Sequence, residues 1–216
     1  MTGIDWSDVR ARVAALGAHP DRGEVFGARW GHGWVLEPPL STAELAEVEA
    51  QIGAELPGEY RSFLLQVSRG GAGPAYGLFP LRRVGGRWRW EGDGADLTDW
   101  ARLGEAFPHS EAFNPVEGMP EPPDDEEAED DYWAEHDRLM EEATDFGGLL
   151  YLCHLGCAYR EALVVSGPRR GVMWADQTAD GDGFTPMRDD DGSPLGFARW
   201  FRRWLDNSEH VVAAKT

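Results

Sequence analysis

The sequence predicts an α+β domain in which helices pack on an antiparallel-rich mixed sheet that carries an acidic insertion. Three observations lead there. Residues 40–67 read as a pair of short amphipathic helices, residues 149–175 as short apolar strands punctuated by glycine, and residues 197–206 as a helix with an aromatic stripe.

Taken in order, Trp6, Val9, Val13 and Leu16 repeat at helical spacing and predict an N-terminal helix over Trp6 to Leu16. Residues 18–39 are rich in glycine and proline around Phe26, Trp30 and Trp34, which predicts aromatic-anchored extended chain or a short hairpin. Ser41 followed by Glu44 is a capping-box pattern, with Leu40 and Leu45 placed as a hydrophobic staple. Leu45, Val48 and Ile52 then share one face, and Gly53 stops the helix. Pro57 suits the first turn of a second helix, because its missing N–H costs nothing there. Tyr60, Phe63, Leu64 and Val67 form that helix's buried stripe, and Gly70, Gly71, Gly73 and Pro74 end it. Strands are expected over Tyr76 to Leu81 and within Gly85 to Gly92.

Leu97, Trp100, Leu103 and Phe107 fit either a helix or a turn. The segment at about 115–146 begins as a proline-broken linker and becomes a dense acidic run, from which a helix is expected to start at Asp131 with Trp133, Leu139, Met140 and Ala143 on its apolar side. Leu149 to His154, Ala162 to Val165 and Val172 to Ala175 read as strands. Phe197, Trp200, Phe201, Trp204 and Leu205 give the last helix a broad face suited to covering a sheet. The organisation expected is an N-terminal extension (1–39), a main domain (40–206) and a C-terminal tail (207–216).

Charge narrows the function. The 216 residues carry 39 acidic and 20 basic side chains, a net charge of −19. Such a surface repels phosphate backbones and anionic membranes and draws cationic proteins. Direct nucleic-acid binding is therefore disfavoured, although an acidic proteome alone would also produce this composition. No stretch approaches the roughly 20 apolar residues that span a bilayer, and the N-terminus is charged and lacks a secretory core. With two cysteines there is no disulfide framework. A cytoplasmic location and a monomer are expected.

Chemical motifs are sparse. Cys153, His154 and Cys157 lack the further ligands of a zinc site, and Cys153 and His154 would face opposite sides of a strand. Cys157 reads as a packed turn residue. Asp180, Asp182 and Asp189-Asp190-Asp191 lack the terminal glutamate of a calcium loop, and Gly181 and Gly183 among them read as a hairpin turn. The turn from Gly70 to Gly77 is followed by a strand and no Lys-Ser/Thr, so it is no phosphate loop. No nucleophile elbow accompanies the six histidines. No catalytic residue, metal ligand or cofactor is assigned, and no enzymatic activity is expected. The candidate partner-binding residues are Asp124, Asp125, Glu126, Glu127, Glu129, Asp130, Asp131, Tyr132 and Trp133, where clustered carboxylates adjoin two aromatic side chains of the type that anchors interfaces. The competing reading is a floppy acidic loop that Trp133 ties to the core.

Leu40-Ser41, Glu49, Leu56-Pro57, Tyr60, Phe63-Leu64 and the Gly70-Gly71 turn resemble the SUKH superfamily, named for the yeast cell-wall assembly regulator and its bacterial relatives. Gly147 to Asp176, with its Gly-Cys turn and its G-x-x-x-G-x-x-W hairpin, is similar to the family's central strands, and Phe197 to Asp206 to its closing helix. The resemblance covers most of residues 40–206. It implies an immunity protein of a bacterial polymorphic toxin system, which binds a cognate toxin domain, often a nuclease, and blocks it sterically. The negative charge is consistent with a basic nuclease. Two alternatives stand beside this reading: a housekeeping protein-binding scaffold or regulator with no toxin partner, and an enzyme or metal-binding domain hidden on the sheet.

Overall fold

The computed structural model describes residues 4–215, apart from the side chains of residues 126 and 127. The elements run α1 (Val9–Ala18), α2 (Thr42–Ile52), α3 (Gly58–Gln66), β1 (Leu81–Val84), β2 (Arg87–Trp90), α4 (Glu126–Thr144), β3 (Leu149–Gly156), β4 (Tyr159–Val164), β5 (Met173–Gln177), β6 (Gly183–Pro186) and α5 (Phe197–Ala213). The architecture is α+β. β3 to β6 form a four-stranded meander, β1 and β2 a separate hairpin, and every named pairing is antiparallel.

Local chemistry explains the helical pair. Ser41 Oγ accepts from the Glu44 amide while the Glu44 carboxylate accepts from the Ser41 amide, the reciprocal arrangement that satisfies two donors a helix start leaves free. Gly53 ends α2 in the left-handed conformation, at φ 67°. Glu49 then accepts from the Leu56 amide and pairs with Arg61, which fixes the angle between α2 and α3. Gly71 has φ 102°, and a Cβ there would meet the Val35 carbonyl oxygen at 2.2 Å. No other residue fits this turn.

The N-terminal stretch is part of the core. Trp6 lies ahead of α1, outside the helix expected to include it, and inserts among Phe63, Phe197 and Phe201 while its indole N–H donates to Ser62 Oγ at 2.8 Å. Arg12 of α1 pairs with Asp206 and Glu209 of α5, and Arg202 of α5 pairs with Asp8. Residues 19–34 form turns and a 3-10 turn at Arg22–Glu24 with Trp34 buried, and the chain beyond makes one antiparallel bridge from Leu36 to Gly71, with no hairpin in this stretch among the described residues.

Five further expectations are corrected. Tyr76 to Phe79 is not a strand: the Tyr76 and Phe79 amides donate to the His154 and Leu152 carbonyls, and regular pairing begins only at Leu81. Gly85 and Gly86, expected inside a strand, are the two-residue turn of the β1–β2 hairpin, both with positive φ. Cys157 is exposed at the tip of the β3–β4 turn with φ 48° and fills no packing role. Gly183 opens a fourth strand, β6, which the glycine-aspartate pattern concealed. α5 also continues through Ala213, well past Asp206.

α5 covers one face of the meander. Its N-terminus lacks a side-chain cap of its own, and the α3 carboxylate of Glu59 supplies one by accepting from the Ala198 amide at 2.9 Å. α4 lies toward the opposite face, where Met140 and Thr144 border a small cavity shared with Tyr151, Arg160, Asp176 and Phe184.

Candidate functional site

Two surfaces qualify. The first is the acidic insertion. Its carboxylates do not form a loop, because the helix starts inside the run, at Glu126, and not at Asp131. Asp125 is its N-cap and accepts from the Ala128 amide at 3.1 Å. Negative charge in a first turn complements the helix dipole, so a cluster without compensating bases still favours a helix. Further along, Arg138 pairs with Glu135 and Glu142 at helical spacing.

Of the expected partner-facing residues, Asp124 and Asp125 precede α4 and the others fall within its first two turns. Asp124, Asp130 and Asp131 are exposed. Glu129 accepts from the Trp133 indole at 3.1 Å, and Trp133 stands edge-on to Tyr132 and His136. Trp133 is 44% exposed, so it does not tie a loop to the core. The side chains of Glu126 and Glu127 lie outside the described residues. No described side chain of α4 is fully buried.

The second surface is a groove of about 760 Å³ between α5, the β6 end of the sheet and the turns at 25–26 and 74–75. Leu155, Met187, Leu195, Trp200 and Trp204 give it apolar walls. Phe26, 60% exposed, stands on its rim against Tyr76. Trp30, 83% exposed, lies on the same loop. The loop is held close, since a Cβ on Gly27 would meet the Ala75 carbonyl oxygen at 1.7 Å.

Glu161 of β4 lies at the floor of this groove. Its Oε2 accepts from the Trp200 indole at 3.1 Å and from Cys153 Sγ at 3.5 Å. Burial, only partly offset by these two donors, holds its carboxyl above the usual carboxylate range. Burial also pushes the Cys153 thiol up, with the Glu161 charge adding to it. Glu111, the other carboxylate lining the groove, pairs with Arg169 and Arg188.

Arg160, next in sequence to Glu161, turns to the other face of the sheet. There Tyr151 donates to Asp176 at 2.9 Å, and burial raises the Tyr151 phenol. Cys153 and His154 likewise separate: Cys153 faces Glu161, whereas His154 stacks on Tyr76 and lies 3.6 Å from Asp93. Among the described residues no cluster of His, Cys, Asp and Glu gathers as a metal site. No described helix is long and apolar enough to cross a membrane.

Sequence reasoning missed the groove because its lining comes from six separated stretches of chain. Glu161 offered one signal, a lone acid followed by the apolar run Ala162 to Val165. Beside Arg160 it reads instead as half of a solvated pair.

With the capped α2, the Leu56-Pro57 break, the meander and α5 in place, the SMI1/KNR4 family (SUKH-1) matches residues 39–206. The chain belongs to that family. No curated protein and no solved structure matches it. Membership in SUKH-1 supports a protein-binding, immunity-like module.

Proposed function

We propose that this SUKH-1 chain is an immunity protein that binds a cognate bacterial toxin domain in the cytoplasm and blocks it sterically, with a basic nuclease as the partner class. Family membership over residues 39–206 carries this reading, and the charge of −19 supports the partner's chemistry. Carboxylates presented on α4 act at long range, where they draw a cationic domain into encounter. Tyr132 and Trp133 adjoin them and supply aromatic contact area.

The test starts from the native host. A toxin gene immediately upstream, rescue of its toxicity by co-expression of this chain, and a complex of the two purified proteins are expected. Failure of the rescue removes the immunity role and leaves a housekeeping scaffold. With that toxin domain in hand, converting Asp124, Asp125, Glu126, Glu127, Glu129, Asp130 and Asp131 to Asn or Gln is expected to slow association about tenfold or more at low salt and to flatten its salt dependence. An unchanged rate by stopped flow assigns the partner surface elsewhere.

A further inference from the structure

Glu161 carries more charge capacity than its structural duty needs. Anchoring the Trp200 indole requires one acceptor oxygen, which a neutral glutamine would also provide. Glu161 uses Oε2 for that indole and for Cys153, and Oε1 has no donor among the described residues. A carboxyl at the floor of an apolar groove is costly to keep unless something pairs with it.

The charged groups around it do not supply that pairing. From β3 the facing group is Cys153, and from α5 they are Trp200 and Arg203. Arg203 is drawn to Asp189 and Asp190 at 3.8 and 3.6 Å. Arg188, beyond β6, pairs with Glu111 at 3.5 Å. The walls at Val25, Phe26, Pro74 and Ala75 are uncharged. Desolvation therefore raises the carboxyl above the usual carboxylate range.

We propose that the groove receives a lysine or arginine side chain of the partner protein, its aliphatic stem along Met187, Leu195 and Trp204 and its cationic head against Glu161 Oε1. Three observations choose this occupant. The walls are apolar, which suits the methylene stem of a long basic side chain. The floor offers an acceptor with a free oxygen. The whole chain favours cationic partners. A cation seated there favours the ionised carboxylate of Glu161: any proton the carboxyl carries passes to solvent, and the incoming group keeps its own protons. The source of the side chain rests on the protein-binding reading, whereas the chemistry of the groove does not.

The test needs no toxin. In protein labelled with 13C at glutamate side chains, the Glu161 carboxyl resonance is titrated against pH, alone and with Nα-acetyl-lysine N-methylamide. Nα-acetyl-norleucine N-methylamide has the same stem without the charge and serves as the control. The lysine probe is expected to lower the Glu161 midpoint and to bind at least tenfold more tightly than the norleucine probe. Glu161→Gln, which keeps the acceptor for Trp200, is expected to abolish that difference. Equal binding of the two probes, or a Glu161 midpoint that the lysine probe leaves in place, overturns the proposal. The wild-type titration decides the matter even if the variant folds poorly. A toxin identified by rescue whose affinity is the same for Glu161→Gln would overturn the groove as the docking point and leave the immunity reading intact. A failed rescue would leave the probe result standing.

Discussion

Helices α4 and α5 both have an apolar side in the sequence, yet they meet solvent in opposite ways. α5 buries Phe197, Trp200, Phe201, Leu205 and Val212 against the sheet, α1 and α3. α4 buries no described side chain fully and is held by its Asp125 cap, its dipole complement and the Arg138 pairs. One helix is stable because it is packed, the other because its local electrostatics are consistent. The packed helix borders a desolvated groove where burial raises the Glu161 carboxyl above the usual carboxylate range. The solvated helix presents many carboxylates that act together at a distance. The groove and the exposed carboxylates of α4 thus lie on different faces of the sheet.

The largest expected effect that would break this comparison comes from matched tryptophans. Trp200→Ala is expected to cost about 3–5 kcal/mol in urea unfolding, since it empties core volume and frees Glu161 Oε2 of its indole donor. Trp133→Ala is expected to stay within about 0.5 kcal/mol, because its ring is largely solvated. Similar losses at the two sites would show that α4 is packed after all.

A second effect reports on the layer behind the groove. His32 is buried edge-on to Trp34 and Trp204, and its Nδ1 accepts from the Trp34 amide at 3.0 Å. Desolvation lowers its pKa from 6.5 to about 4. The folded ring therefore resists protonation while the unfolded one accepts it, so its contribution is complete above pH 6.5 and fades as pH falls toward 4. The loss across that window is about 3 kcal/mol at most. His32→Asn, which keeps an acceptor for the Trp34 amide, is expected to remove that part of the acid sensitivity in denaturant melts at pH 7 and pH 4. An identical pH dependence in the two proteins would place water at the ring.

The smallest effect compares two caps. Ser41→Ala is expected to cost about 1 kcal/mol of global stability, because α2 unfolds only with the domain. Asp125→Ala removes the same kind of bond, but its effect is expected to remain local. Amide exchange should quicken along the first turns of α4 while the global melt is unchanged. A global loss at Asp125 equal to that at Ser41 would join the two helices into one cooperative unit.

Legibility in the sequence followed the range of the interactions. The α2 box, the Gly53 stop and the stripe of Tyr60, Phe63 and Leu64 depend on neighbours within a few residues, and each stands where periodicity placed it. The start of α4 was placed at Asp131 because the apolar positions that mark a helix begin only at Trp133, whereas capping and the dipole let the acidic run itself open the helix. β6 was hidden because its pairing with β5 is set by the sheet edge and by Phe113 bridging Phe184, not by an alternating pattern of its own.

The sequence by itself determined the family, the capped helix pair, three strands of the meander and the sign of the long-range field. Those follow from local periodicity, turn chemistry and summed charge. Only the tertiary structure decided that Trp6 belongs to the core, that Glu59 caps a helix far away in the chain, and that Arg160 and Glu161 part to opposite faces. The physical reason is burial. Whether a carboxylate is solvated or desolvated depends on which distant segments close over it, and at Glu161 those segments are α5 and the turns at 25–26 and 74–75.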